Sequence, residues 1–240
     1  MDALQGRINS FQTLGTLEGP GIRFVVFFQG CPLRCAYCHN PETWDVQGGT
    51  VYTVEEVIAK AMRCQPYFGD TGGITLSGGE PLLQSTFAAR LLREAKARGV
   101  HTAICTAGIT NLAEARAVLE YVDLVITDLK FTTDRDYVKY CSGKLDTVLN
   151  FLRLTEQMRI PLWIRQVIVP TINDTPAAAS ALRDMAGRFS NLEKIELLPF
   201  RKLCLEKYDN LGKPFPLRGV PEADDTVLAP LQKILDKRRQ

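Results

Sequence analysis

The 240-residue chain has no apolar run approaching the ~18–20 residues that a bilayer crossing requires. Its opening stretch, MDALQGRINSF, lacks a hydrophobic signal core. Neither membrane spanning nor export is expected, and the chain is assigned to the cytoplasm. Charge of one sign is scarce: 29 Lys and Arg against 27 Asp and Glu leave a net +2, spread along the sequence. So small a surplus gives no reason to expect a nucleic-acid partner. The terminal Lys237–Arg238–Arg239 reads as a solvated helix end. There is no internal repeat, low-complexity tract or long linker, so residues 1–240 are read as one domain with a sizeable core. The seven cysteines are odd in number and uneven in spacing. In a reducing cytosol that pattern points away from a disulfide framework and toward metal or redox chemistry.

What is present is a regular alternation. Six β-branched or aromatic runs are IRFVVFF (22–28), GITLS (73–77), HTAICT (101–106), DLVITD (123–128), LWIRQVIV (162–169) and KIELLP (194–199). Helical patterns fall between them. Thr53 and Glu56 form a capping box before Val57 and Ile58. A helix carrying Leu91 and Leu92 stops at Gly99, another starts at Asn111, and Asp146 is expected to cap a fourth. Thr175–Pro176 suits the start of a fifth, and Val227, Leu231 and Leu235 mark the last. Strand–helix alternation of this kind predicts an α/β fold around a parallel sheet. The chemically unusual residues follow four consecutive strands: cysteines after the first, Gly78–Gly79–Glu80 after the second, Thr106–Ala107–Gly108 at the third, Asp128–Leu129–Lys130 at the fourth. A site drawn from so many strand ends favours a barrel or partial barrel over an open doubly wound sheet.

Cys31, Cys35 and Cys38 stand in the spacing C-x3-C-x2-C, with no fourth cysteine at comparable distance. A C-x-x-C pair can clasp zinc, form a redox disulfide or bind an iron–sulfur cluster. Structural zinc takes four ligands, and His39, adjacent to Cys38, is poorly placed to be the fourth. Three thiolates suit a [4Fe–4S] cubane in which one iron stays open.

With Tyr37 immediately before Cys38, this loop resembles that of radical S-adenosylmethionine enzymes (C-x3-C-x-aromatic-C). SFQTLGTLEGPGIRFVVFFQGCPLRCAYCHNPETWD (10–45) resembles the signature of glycyl-radical-enzyme activating enzymes, the pyruvate formate-lyase type above all. SGGEPLLQ (77–84), DLVITDLK (123–130), WIRQVIVP (163–170), NLEKIELLPF (191–200) and KYDNLGKPFPLRGVP (207–221) continue the resemblance in order. It implies a partial (β/α)6 TIM-like barrel and one [4Fe–4S] cluster on Cys31, Cys35 and Cys38. The open iron would bind S-adenosylmethionine through its amino and carboxylate groups. There is no further C-x-x-C after Trp44, where longer relatives carry extra clusters. Implied partners are a glycyl radical enzyme and a reduced flavodoxin or ferredoxin, with the chain itself a monomer.

The resemblance also assigns cofactor contacts to Gly78, Gly79 and Glu80 (the methionyl amino group) and to Thr106, Asp128, Leu129 and Lys130. Tyr37, Cys38 and His39 would flank the adenine. Each has a plainer reading. Gly-Gly-Glu can be a tight turn with a solvated glutamate, Asp128 and Lys130 a surface ion pair of little worth, and His39 a structural loop residue. Arg165, on an interior strand, needs an acidic neighbour or the cofactor carboxylate. Two positions depart from the family pattern. Its usual DTNG is Cys105–Thr106–Ala107–Gly108 here, which puts a monovalent-cation site in doubt and leaves Asp128 as the remaining carboxylate. Its PYH is Pro199–Phe200–Arg201, and Arg201 can donate to ribose or carboxylate but cannot accept as neutral histidine does. Two other functions compete: a radical enzyme acting on a small molecule, such as a deazapurine precursor, and a zinc-stabilised binding module.

Overall fold

The computed structural model describes residues 4–236, so Lys237–Arg238–Arg239 lie outside the described residues. In chain order the elements are β1 (Gln5–Gly15), β2 (Arg23–Phe28), β3 (Thr50–Thr53), α1 (Val54–Met62), β4 (Gly73–Gly78), α2 (Ser85–Lys96), β5 (His101–Thr106), α3 (Leu112–Leu119), β6 (Leu124–Asp128), α4 (Asp134–Cys141), α5 (Leu145–Gln157), β7 (Leu162–Ile168), α6 (Pro176–Ala186), β8 (Leu192–Pro199), α7 (Leu205–Asn210) and α8 (Asp225–Leu235). Among the described residues they form one sheet in the order β3-β1-β2-β4-β5-β6-β7-β8. From β2 to β8 every pairing is parallel, and these six strands are the six apolar runs of the sequence. β1 and β3 add an antiparallel margin beside β2. No ladder joins β3 to β8 among the described residues, so the sheet is an unclosed (β/α)6 barrel. No helix among them is long and apolar enough to cross a membrane.

Alternation along the strands separates two environments. Phe24, Val26, Phe28, Ile74, Leu76, Ile104, Val125, Leu162 and Ile164 belong to the large core that includes the helices. On the inner face Ala103, Leu124 and Ile126 form a small apolar cluster with Cys105 and Trp163 packed on it. Polar side chains share that face. Arg23, fully buried at the start of β2, donates to Thr75 Oγ1 (2.9 Å) and to the carbonyls of Ile74 (2.6 Å) and Thr71 (3.3 Å). Burial lowers its pKa to about 10.

The helix caps follow the sequence closely. Thr53 and Glu56 make the reciprocal capping box, Asn111 accepts from Ala113 N–H (2.8 Å), and Thr175 caps α6 with Pro176 in its first turn. One expectation is corrected: Asp146 lies inside the first turn of α5, and Lys144 occupies the cap position without a side-chain bond. The α5 start is met instead by Asp134, whose Oδ1 accepts from Leu145 N–H at 3.1 Å.

Candidate active site

The loop that follows β2 carries the cysteines and is fixed from three sides. At its root, Gly30 N–H donates to Thr43 O (2.8 Å), and Glu80 N–H donates to Gly30 O (2.8 Å), so the loop is tied to the turn after β4. At its middle, Arg34 and Ala36 N–H groups donate to the Cys141 and Tyr140 carbonyls (2.9 and 2.7 Å). These are carbonyls at the C-terminus of α4, where Ser142 turns the chain with φ 54°. At its far side, Lys207 of α7 donates to Asn40 Oδ1 (2.8 Å) and Glu42 Oε1 (2.5 Å). The loop is therefore templated by α4 and α7, neither of which the sequence pattern revealed.

Gly78 and Gly79 have a backbone reason for their identity. Gly78 has φ +107°, and a Cβ on it would meet Phe28 N at 2.3 Å; a Cβ on Gly79 would meet Gly30 O at 2.1 Å. The first need is thus the crossing of two strand ends, before any approach of a ligand.

A cavity of about 440 Å³ opens over these strand ends, within the ~300–1,000 Å³ of small-molecule sites. It is lined by Cys31, Cys35, Tyr37, Cys38, His39, Ser77, Gly78, Gly79, Cys105, Thr106, Asp128, Lys130 and Arg165. Nearly all of the residues that the sequence marks for one site share this cavity. Three assigned residues are not on its wall. Glu80 is wholly buried and turned into the protein: Oε1 accepts from Thr106 Oγ1 (2.7 Å) and Leu82 N–H (3.1 Å), Oε2 from Ala107 N–H (2.9 Å). Its carboxylate ties the turn after β4 to the end of β5. Burial lifts its pKa to about 7 against the pull of those donors. Leu129 is buried in the helix-side core. Arg201 points its guanidinium toward Glu222 (3.8 Å), while its carbonyl meets His39 Nε2 (2.8 Å), which ties the cysteine loop to the end of β8.

Register places Asp128, Arg165 and Glu196 side by side on β6, β7 and β8. Arg165 bonds Glu196 Oε2 through Nε (2.6 Å), meets Glu18 Oε2 at 3.4 Å, and donates to Leu17 O. Burial works against its charge, but Cys105, Glu18 and Glu196 outweigh it and hold the pKa above the ordinary value. Arg165 thus has its acidic neighbours within the protein. Glu18 was not singled out from the sequence. It lies in the Gly19–Pro20–Gly21 loop after β1, which folds across the inner face and is held there by Thr75 Oγ1 donating to Glu18 O (2.7 Å). Cys105 Sγ donates to Glu18 Oε2 at 2.8 Å. Asp128 is therefore not the only carboxylate near Cys105, which corrects the expectation from sequence. Lys130 pairs with Asp128 (3.1 Å) on the cavity wall, its side chain only 12% exposed. Burial opposes its charge, and the anionic neighbours, Asp128 first, raise its pKa well above the ordinary value.

The 4Fe-4S single cluster domain family matches residues 17–142, the span that holds the cysteine loop and the first four parallel strands. Over 234 residues the chain is 42% identical to the pyruvate formate-lyase-activating enzyme of Clostridium pasteurianum, covering 97% of this chain and 98% of that one. The chain belongs to the pyruvate formate-lyase-activating enzyme family. The activating enzyme of Staphylococcus epidermidis is 40% identical over 234 residues, with 94% of this chain and 93% of that one covered. Among solved structures, Streptococcus suis SuiB bound to S-adenosylmethionine matches with a TM-score of 0.63 and 12% identity, over 88% of this chain and 47% of that one. At that identity the likeness speaks for the fold. The matched family is one that carries a single [4Fe–4S] cluster.

The donor set fits the cluster. Burial pushes the Cys31 thiol up to about 12 and Cys38 up to about 11, while a hydrogen bond with Cys141 brings Cys35 down to about 7. Buried thiols of the first kind hold their protons until a metal displaces them. Among the described residues no three His, Cys, Asp or Glu side chains converge so as to hold a single metal ion. Three thiols on the wall of one cavity suit a cubane, where each binds a different iron.

Proposed function

We propose that this enzyme cleaves S-adenosylmethionine reductively and removes a hydrogen atom from a glycine of a partner enzyme of the pyruvate formate-lyase type, leaving a glycyl radical. The observation that carries the reading is the shared cavity: three thiols, a Ser77–Gly79 strip of backbone and the Asp128–Lys130 pair face the same space. Held by Cys31, Cys35 and Cys38, a reduced cluster would supply the one electron that cleaves the sulfonium carbon–sulfur bond of bound S-adenosylmethionine, giving methionine and, with the hydrogen taken from the glycine α-carbon, 5′-deoxyadenosine.

The chain's own residues bind and orient. Cys31, Cys35 and Cys38 are assigned as the iron ligands. Carbonyls of Ser77 to Gly79 are assigned to the cofactor's ammonium, in place of the inward-turned Glu80 carboxylate. Lys130, kept cationic by its neighbours, suits the cofactor carboxylate, with Asp128 and Thr106 beside it. Tyr37, Cys38 and His39 are assigned to the adenine edge. Cavity walls that exclude water protect so reactive a species from side reactions.

A protein substrate is favoured by the apolar rim. Leu17, after β1, and Leu203, after β8, both line the cavity, yet are 77% and 82% exposed. An enzyme closed over a small molecule has no use for such exposure, whereas an inserted peptide loop would cover it. A reduced flavodoxin or ferredoxin is proposed as electron donor, and the chain is proposed to act as a cytoplasmic monomer. The test is to mix anaerobic, reduced protein and S-adenosylmethionine with a pyruvate formate-lyase-type enzyme and record the paramagnetic resonance spectrum. A glycyl radical doublet is expected. Its absence with every glycyl radical enzyme of the same cell, alongside turnover on a small molecule, would overturn the proposal.

A further inference from the structure

The backbone at Lys130 is gripped by two buried side chains that the chemistry of the site does not otherwise use. In the ladder between β6 and β7 the last paired residues are Asp128 and Arg165. The Leu129–Lys130 peptide lies just past that pair, and side chains take over where the ladder ends. Tyr137, on α4, accepts from Lys130 N–H through its hydroxyl oxygen at 3.0 Å. Gln166, which follows Arg165 on β7, donates from Nε2 to Leu129 O at 2.9 Å and to Lys130 O at 3.4 Å. Strand alternation explains the choice: Arg165 faces the cavity, so Gln166 faces the helix layer in which Leu129 is buried. Tyr137 is 0% exposed and Gln166 3%, and neither lies on the cavity wall.

The grip matters because of what Lys130 carries into the cavity. Its ammonium pairs with Asp128 at 3.1 Å and stands 6.0 Å from the centre of the Tyr37 ring. A lysine ammonium has three donors, and among the described residues Asp128 is its only hydrogen-bond partner. Donors are left for a ligand. The stem of a lysine is flexible, so a base fixed in advance removes part of the ordering that binding would otherwise require. Tyr137 adds a second link. One turn further along α4, the Tyr140 and Cys141 carbonyls accept from the Ala36 and Arg34 N–H groups of the cysteine loop. One short helix therefore fixes Lys130 and the cysteine loop relative to each other.

We infer that Tyr137 and Gln166 are positioning residues that hold the Leu129–Lys130 peptide so that the Lys130 ammonium meets the carboxylate of S-adenosylmethionine at a set place beside the cysteine loop. Both act through Lys130, and the inference rests on the assignment of Lys130 to that carboxylate. The same bonds also serve the fold, so affinity alone does not separate the two roles. Dependence on the Lys130 ammonium does. A residue that acts by aiming this group loses its influence on the cofactor once the group is gone, whereas a general support of the site does not.

The test is a double-mutant cycle on S-adenosylmethionine affinity, measured by calorimetry on anaerobic, cluster-reconstituted protein. Tyr137→Phe leaves Lys130 N–H without its acceptor, and Gln166→Met leaves Leu129 O without its donor, each at nearly constant volume. Both variants should keep about four irons and raise the dissociation constant about tenfold. In a Lys130→Met background, adding either substitution should change the constant by less than about twofold. The two variants are independent, so one that fails to fold leaves the other to decide. Unchanged affinity in a folded variant with full iron content would overturn the inference. A further tenfold loss in the Lys130→Met background would do the same, because it would show support of the site that does not pass through Lys130. Unchanged affinity in Lys130→Met alone would instead remove the assignment of Lys130 beneath the inference, and the two failures are distinguishable.

Discussion

Cys105 Sγ and Glu18 Oε2 are 2.8 Å apart, with the thiol donating and the carboxylate accepting. Where the family pattern places a carboxylate on β5, this chain has a thiol there and a carboxylate reaching in from the loop after β1. Burial, followed by the Glu18 charge, pushes the Cys105 pKa well above its ordinary value, so the pair carries one negative charge and not two. Arg165 answers that charge from 3.4 Å. Arg165, which also pairs with Glu196, and Lys130, paired with Asp128, supply the counter-charges from within the protein.

Sodium exchanged for potassium at fixed ionic strength should therefore leave S-adenosylmethionine affinity unchanged within about twofold, roughly 0.4 kcal/mol. Cys105→Asp should change that. Two carboxylates at this distance cannot both stay ionised without a compensating charge, and a hard oxygen pair invites a cation. Binding measured by calorimetry should become dependent on the monovalent ion in the variant. A strong ion dependence in the unmodified protein would contradict the account.

Glu80 makes stability depend on pH in a definite direction. Its carboxyl titrates at about 7 in the folded protein against an ordinary 4.5. Between those values the folded protein holds a proton that the unfolded chain has released. The contribution is fully present below about pH 4.5 and is lost as pH rises through 7, amounting to about 3 kcal/mol. Denaturant midpoints of the cluster-free protein should fall more steeply from pH 5 to 7.5 than those of Glu80→Gln. Parallel curves would show that Glu80 is not protonated in the fold.

The cysteine assignment gives a stoichiometric expectation. Reconstituted protein should bind about four irons, and alanine at Cys31, Cys35 or Cys38 should abolish the cluster while alanine at Cys64 should not. Adding S-adenosylmethionine to the reduced protein should perturb the cluster's paramagnetic spectrum. Full iron content in Cys35→Ala would contradict the assignment.

The exposed Leu17 and Leu203 separate partner binding from cofactor binding. A charge placed on either should slow activation of a protein partner by about tenfold, roughly 1.4 kcal/mol. The cofactor-induced change in the cluster spectrum should persist. Equal loss of both readouts would assign these residues to the cofactor instead.

Much of this architecture is legible in the sequence because the parallel strands are buried on both faces and read as continuous apolar runs. β1 and β3 are not, since QGRINSFQTLG alternates irregularly and TVYT is short and partly exposed. α4 escapes notice for a similar reason: DRDYVKYC buries only Tyr137 and Cys141. The cysteines, glycines and Asp128–Lys130 announce themselves by type and spacing. Glu18 does not, because it acquires its neighbours only when Gly19–Pro20–Gly21 carries the loop over the barrel. The one available sign was that turn-forming triplet directly after an acidic residue. Glu80 misleads in the opposite way: its place beside two cavity glycines suggests a ligand, but the 3-10 turn that follows rotates it inward.

Hydrogen that leaves a glycine of the partner protein should arrive on the cofactor's 5′-carbon. This transfer is tested most directly by supplying a pyruvate formate-lyase-type partner whose glycines are deuterated at the α-carbon and analysing the 5′-deoxyadenosine by mass spectrometry. One deuterium per molecule of product is expected, with a glycyl radical formed in parallel. Product that carries no deuterium, in amounts matching the S-adenosylmethionine consumed, would contradict it.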